Sequence, residues 1–213
     1  MSIYQVYKNM KSTDEYKRYL TDQQEDNAYE PQYRDYGKKV IYKYMDFLSN
    51  NLLNQFSFFA AQVLDVGCRE FFTDDYFREK YKKSIHGIDI GKEGIEFARS
   101  QGKHVVVLDA HEMSKENVGE RDLITAFHCM EHFYDLPQVL SNCYDCLKDD
   151  GYLYFAVPVP VKNEQRGYWY SIDSVQDMTK MCERAGFTMV FAKGFPAGVF
   201  RNENEMVGLF QKQ

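Results

Sequence analysis

Residues 62–71 read QVLDVGCREF. Val63, Leu64 and Val66 form an apolar run too short for a helix and suited to a buried strand. Gly67 follows, where the chain must turn sharply and where backbone can approach another group closely. A helical stretch from Asp74 to Tyr81 comes next. Strand, glycine turn and helix in that order open a parallel sheet covered on both faces.

Downstream the same alternation continues. IHGIDI (85–90) is a second strand, and KEGIEFARSQG (92–102) is a helix stopping at Gly102. HVVVLDA (104–110) and DLITAF (122–127) are the third and fourth strands. LPQVLSNCYDCLKDDG (136–151) reads as a helix with a glycine stop, and YLYFAVPV (152–159) as the fifth strand. SVQDMTKMCERAG (174–186) is a helix with Ser174 or Asp173 as N-cap and Gly186 beyond its end. FTMVFAKGF (187–195) and EMVGLFQKQ (205–213) have only a short loop between them, so they pair as an antiparallel hairpin at one edge. The fold expected is α/β: a Rossmann-like, mostly parallel seven-stranded sheet with helices on both faces and a closing C-terminal hairpin.

Residues 1–60 differ. They are rich in Tyr, Gln, Asp and Lys and hold no strong strand. Ile41, Tyr44, Met45, Phe47, Leu48 and Leu52 recur at helical spacing, so Val40 to Phe59 is read as an amphipathic helix beside the main domain. The polar segment TDQQEDNAYEPQYRDYG (21–37), broken by Pro31, is a lid or a surface connection. The division expected is a helical or lid segment over 1–60 and a ligand-binding domain over 61–213.

Composition narrows the functional class. With 44% hydrophobic residues the chain can bury a real core, and a net charge of −6 gives no overall field toward nucleic acid or anionic lipid. Local lysine pairs at Lys38–Lys39 and Lys82–Lys83 leave a nucleic-acid acceptor as the less favoured reading. No stretch approaches the roughly 20 apolar residues of a membrane span. MSIYQVYKNMK (1–11) lacks the apolar centre of a secretory signal, so a cytoplasmic location is expected. Five cysteines make an odd count for a disulfide framework. Cys143 and Cys146 form a C-x-x-C inside an apolar-periodic segment without a second pair, and read as reduced helix residues.

Ligands of open parallel sheets bind beyond the carboxyl ends of the strands, where strand order reverses. Asp65 and Gly67 stand after the first strand. Asp89, about twenty residues past the glycine turn, is placed to accept from both ribose hydroxyls of a nucleoside. Asp109, followed by Ala110 and His111, is placed to accept from an exocyclic adenine amine. Phe127 and HCMEH (128–132) follow the fourth strand.

This layout resembles the class I S-adenosylmethionine-dependent methyltransferases, especially their compact small-molecule branch, over about 150 residues from Gln62 onward. The family's strand and D-x-G-C-G-x-G turn is matched by VLDVGCREF, its second acid by Asp89, its D-A pair by Asp109–Ala110, and its H-x-x-E-H by HCMEH. The resemblance implies S-adenosylmethionine as cofactor, held by Asp65, Gly67, Cys68, Arg69, Asp89, Ile90, Asp109, Ala110, His111 and Phe127. It implies methyl transfer to a small or medium-sized acceptor, with His128 or His132 as general base and Glu131 orienting a histidine or the acceptor. Tyr168, Trp169 and Tyr170 fall where the family commonly lines its acceptor pocket. The departure is at Arg69 and Phe71, which replace the second and third glycines. They imply either a different loop path or weakened cofactor binding, and with it a non-catalytic protein that keeps the fold as a binding module.

Two other readings meet obstacles. A dinucleotide fingerprint needs G-x-G-x-x-G, and VGCREFF lacks the later glycines. HCMEH is also an inverted zinc-protease pattern, but it comes straight off a strand, Pro137 follows, and no third ligand is placed. No metal is expected, and oligomeric state is not readable.

Overall fold

The computed structural model describes residues 34–160 and 172–213. Strands β1 (Val63–Val66), β2 (His86–Asp89), β3 (His104–Val107), β4 (Arg121–Phe127), β5 (Leu147–Pro158), β6 (Phe187–Phe195) and β7 (Glu205–Lys212) form one sheet in the order β3-β2-β1-β4-β5-β7-β6. β1 to β5 pair in parallel, and β7 runs antiparallel between β5 and β6. The expected seven-stranded Rossmann-like sheet with its closing hairpin is therefore present. Strand order reverses between β1 and β4, which opens a crevice above their carboxyl ends.

Helices α1 (Arg34–Phe47), α2 (Phe72–Tyr81), α3 (Lys92–Ser100), α4 (Lys115–Val118), α5 (Leu136–Cys146) and α6 (Val175–Arg184) cover the sheet. The period of two along the strands separates two cores. Ile124, Leu153 and Phe155 face the cluster that contains Leu140 of α5 and Met178 of α6. Leu123 and Tyr154 face the cluster that contains Tyr44 of α1, Phe77 of α2 and Ile95 of α3. Burying apolar side chains on both faces is what a nearly continuous apolar strand requires.

Several boundaries differ from the sequence reading. The amphipathic helix begins at Arg34 and ends at Phe47, followed by one π-helical turn over Leu48–Leu52. α2 starts two residues earlier than expected, at Phe72. α5 ends at Cys146, not near Gly151, because Leu147 already pairs with Arg121 of β4 across a bulge. Short turns at Ala110–Glu112 and Met130–His132 and the single-turn α4 carry no apolar periodicity to announce them. Ser174 caps α6 by accepting from the Asp177 N–H, and Gly186 lies past its end at φ +101°, both as expected. All five cysteines are free and buried.

α1 is fastened to the sheet. The Tyr154 hydroxyl of β5 donates to the Tyr44 carbonyl at 2.9 Å, and Tyr44 is fully buried. Most of the segment read as a lid, residues 21–33, lies outside the described residues, as do Tyr168, Trp169 and Tyr170.

Candidate active site

The turn after β1 carries three left-handed residues in five: Gly67 at φ +70°, Arg69 at +43° and Phe71 at +63°. This is the backbone that glycines at alternate positions adopt without strain. Both departures from glycine, Arg69 and Phe71, take the left-handed conformation. Gly67 and Cys68 both donate to the Ile88 carbonyl, at 2.9 and 3.1 Å, which stitches the turn to β2. Gly67 has a steric reason as well, since a Cβ there would lie 2.5 Å from the Cys129 Cβ.

Phe71 does not cover the strand tips. Its ring is fully buried in the core between the sheet and α1–α3. Gly87 of β2 makes the room, because a Cβ at that position would lie 2.9 Å from two Phe71 ring carbons and 2.8 Å from the Cys68 Sγ. The bulk gained at 71 is thus matched by bulk absent at 87. The exposed Arg69 side chain leaves the loop.

Asp89 ends β2 beside this turn. One oxygen accepts from the Arg69 N–H at 2.9 Å and the other from the Gly91 N–H at 2.7 Å. Each oxygen of a carboxylate has two acceptor positions, so one on each remains for a ligand hydroxyl. Burial raises the Asp89 carboxyl above its ordinary range, and the two N–H groups oppose that rise. Ile90 is partly exposed next to it. Asp65 is set deeper. It is buried, takes the Thr125 hydroxyl at 2.6 Å, and is pushed up to about 7 by desolvation. Asp109 caps the short turn after β3: its Oδ1 accepts from the His111 N–H at 3.0 Å and meets the His111 Nδ1 at 2.6 Å. His111 in turn packs on Tyr134 with ring centroids 4.1 Å apart. Ala110 and Phe127 are buried, and Phe127 stacks on Tyr44 at 5.1 Å.

Beyond β4 the backbone turns left-handed at His128, φ +51°, before the Met130–His132 turn. His128 Nε2 lies 2.9 Å from both the Tyr44 hydroxyl and Glu205 Oε2, and the Tyr44 hydroxyl also donates to Glu205. Tyr44 and Glu205 are the residues that sequence reasoning missed. Burial, reinforced by Glu205, raises the Tyr44 hydroxyl far above its ordinary value, so it keeps its proton. A carboxylate facing Nε2 then fixes the imidazole proton on Nε2 and leaves the lone pair on Nδ1. Nδ1 stands 3.8 Å from Glu131 Oε1 and 3.8 Å from Glu203 Oε1. Burial lowers the His128 pKa, so the ring is neutral at pH 7. Burial also pushes Glu131 up to about 8, which keeps it protonated. His132, about a third exposed, faces Glu131 Oε1 at 3.9 Å. Glu131 Oε2 and Glu205 Oε1 are buried and make no hydrogen bond among the described residues. No cluster among the described residues has the make-up of a metal site.

The structure thus brings Asp65, Gly67, Asp89 and Asp109 to the carboxyl ends of adjacent strands, with His128, Glu131 and His132 just beyond the carboxyl end of β4. A family model described as a methyltransferase domain matches residues 36–191, well over half of the chain. The chain belongs to the class I S-adenosylmethionine-dependent methyltransferase family. The family's cofactor is S-adenosylmethionine, and the left-handed turn, the two-sided Asp89 carboxylate and the inward Phe71 ring fit it.

The ubiquinone biosynthesis O-methyltransferase of Vibrio parahaemolyticus is 26% identical over 129 residues, 58% of this chain and 53% of that protein. The chain spans about half the length of the curated relatives it matches. N-methyltransferase NodS from Bradyrhizobium japonicum, solved with S-adenosyl-L-homocysteine, superposes with a TM-score of 0.61 at 14% identity, covering 93% of this chain and 97% of NodS. The [4+2]-cyclase SpnF gives 0.63 at 12% identity over 80% of each chain. Neighbours named for nitrogen methylation and for cyclisation share the fold, so the fold alone assigns no acceptor. Among the described residues no helix is long and apolar enough to cross a membrane.

Proposed function

We propose that this domain methylates a hydroxyl or amine of a small acceptor, with His128 Nδ1 taking the acceptor's proton. The observation that carries the reading is the Tyr44–Glu205–His128 arrangement beside the family's cofactor site: a neutral imidazole whose proton is tied inward on Nε2, with its lone pair left on Nδ1 beside Glu131 and Glu203.

The bound cofactor supplies a methyl group on positively charged sulfur, activated for displacement. Asp89 would accept from the ribose hydroxyls with its remaining lone pairs, and the second oxygen of Asp109 would accept from the adenine amine. Asp65, buried under the turn, keeps Thr125 and the end of β1 in place. His128 accepts the proton, and Glu205 stabilises the imidazolium by charge-assisted hydrogen bonding through Nε2. Glu131, protonated at neutral pH, offers a hydrogen-bond donor to the acceptor without adding a negative charge beside Nδ1. His132 borders the same space. A small molecule is the acceptor in this reading, and the cytoplasm is the compartment consistent with free thiols at all five cysteines.

Calorimetric titration with S-adenosylhomocysteine, followed by transfer of labelled methyl groups from S-adenosylmethionine to a panel of small phenols, alcohols and amines, tests the reading. One-site binding and label in a hydroxyl or amine acceptor are expected. Absence of binding at millimolar ligand would overturn it in favour of a binding module that keeps the fold without the cofactor.

A further inference from the structure

A second group of functional side chains lies at the other edge of the sheet. His86, His104 and Arg121 are the first residues of β2, β3 and β4, so they sit at the amino ends of the strands. The four-residue strand β2 separates His86 from Asp89 at its other end by roughly 10 Å. An open cavity of about 340 Å³ is lined there by these three residues, by Arg99 of α3, and by Val106 and Val118.

Arg121 is the unusual member. It is 5% exposed, yet no carboxylate bonds to it among the described residues. Its Nη2 donates to His86 Nδ1 at 3.0 Å, a neutral partner, and its buried Nε has no hydrogen-bond acceptor. The neighbouring acids are committed elsewhere. Asp122 accepts from the Gln62 N–H and from Lys148 Nζ, and Asp74, the acid acting on His86, pairs with Arg78. A buried guanidinium with an unmatched charge and an unmet donor is costly unless something supplies the acceptor. His86 and His104 stand in register on adjacent strands, with ring centroids 6.0 Å apart, and add two more donors at the mouth. Because Arg121 occupies His86 Nδ1, the His86 proton sits on Nε2. Val106, 54% exposed, and Val118 give the cavity an apolar wall.

We infer that this cavity binds a small organic anion, its carboxylate or phosphate on Arg121 and the two histidines and its apolar body against Val106 and Val118. Arginine suits either head group through its planar fork of donors. The volume holds a metabolite-sized ligand, not a nucleic acid or a protein loop. The site is separate from the strand-tip crevice, so it stands or falls independently of methyl transfer.

The test is heteronuclear NMR of the His86 and His104 imidazoles during addition of inorganic phosphate, and in a second arm of acetate, without S-adenosylmethionine. Saturable shifts of both rings in the millimolar range are expected, and the arm with the tighter binding identifies the head group. His104→Gln and Arg121→Met should each weaken binding, read at the His86 ring, at least tenfold. Binding of S-adenosylhomocysteine, measured alongside, should be unchanged and reports that each variant is folded. If Arg121→Met does not fold, the exposed His104→Gln carries the comparison. Shifts absent in both arms, or undiminished in the folded variants, would overturn the inference.

Discussion

His128 and Glu205 meet at 2.9 Å through Nε2 and Oε2, although 77 residues of chain separate them. The contact exists because β7 inserts beside β5, which brings its first residue to the carboxyl end of the parallel strands. Glu205 is fully buried, and the Tyr44 hydroxyl closes the same contact from α1. A carboxylate in that place does two things to an imidazole. It fixes the proton on one nitrogen, and it stabilises the cation formed when the other nitrogen takes a second proton.

Glu205→Gln should therefore separate catalysis from cofactor binding. Affinity for S-adenosylhomocysteine should stay within about twofold, while kcat on an acceptor found in the labelling screen falls by roughly a hundredfold, the lower end of a general-base contribution. The His128 ring should also lose its single tautomer, which ¹⁵N imidazole shifts report directly. A variant whose kcat is unchanged would leave Glu205 as a packing residue.

Tyr44→Phe asks what the hydroxyl contributes to folding. It removes the donor to Glu205 and one neighbour of His128 Nε2 without removing the ring that stacks on Phe127. Leaving a buried acceptor short of a partner costs about 1–3 kcal/mol. Urea unfolding should show a loss of that size, with little change in the slope against denaturant.

Asp89→Ala tests the cofactor side. It removes the acceptor for the Arg69 and Gly91 N–H groups as well as that for the ribose, so both stability and affinity should fall. The expected loss of S-adenosylhomocysteine binding is about 1–3 kcal/mol, the usual cost of stranding buried hydrogen-bonding groups. An Asp89→Ala protein that is folded and binds S-adenosylhomocysteine as the wild type does would remove Asp89 from the site.

The parts of this fold that repeat with a regular period were legible in the sequence. β1 to β7 and the four main helices of the domain follow from apolar runs, alternation and caps such as Ser174. The acids near the carboxyl ends of β1, β2 and β3 were legible because each stands at or near the end of a short apolar run. Glu205 was not, since a single acid at the start of EMVGLF looks like the solvent edge of a strand, and only β7 insertion buries it. Tyr44 was counted as an apolar member of an amphipathic helix, and nothing local distinguishes its hydroxyl. The match between Phe71 and Gly87 was equally hidden, because it joins two elements through a contact and not through a pattern.

Glu131 makes a prediction about pH. Burial holds its carboxyl at about 8, and that of Asp65 at about 7, against ordinary values near 4. A carboxyl raised in the folded state binds a proton there that the unfolded chain has released. The stabilisation is complete below the unfolded value and disappears as pH rises through the folded value. Stability should thus decline between about pH 4.5 and 8 on account of these two groups. Glu131→Gln should flatten that decline. It should be near neutral at pH 5 and stabilising at pH 8.5 by on the order of 1–3 kcal/mol, because it removes the cost of ionising a buried acid. Parallel pH profiles of wild type and variant, by thermal or urea unfolding, check the crossing.

The left-handed turn makes opposite predictions at its two departures from glycine. Arg69 holds φ +43° with an exposed side chain, so Arg69→Gly gives up almost no packing. Relief of the left-handed backbone is worth about 1–2 kcal/mol, and the extra freedom of glycine in the unfolded chain offsets about 0.5–1 kcal/mol of it. The variant should be unchanged or slightly more stable, with a higher melting temperature. Phe71→Gly gains the same relief but empties a fully buried ring site beside Gly87, at a cost of roughly 3–5 kcal/mol. It should be less stable by about 2–5 kcal/mol. Restoring volume with Gly87→Ala in the Phe71→Gly background should recover part of that loss, whereas Gly87→Ala alone should destabilise, since its Cβ would meet the Phe71 ring. A double-mutant cycle over positions 71 and 87 measures that coupling. Additive effects at the two positions would show that the Phe71 ring does not depend on the room left at Gly87.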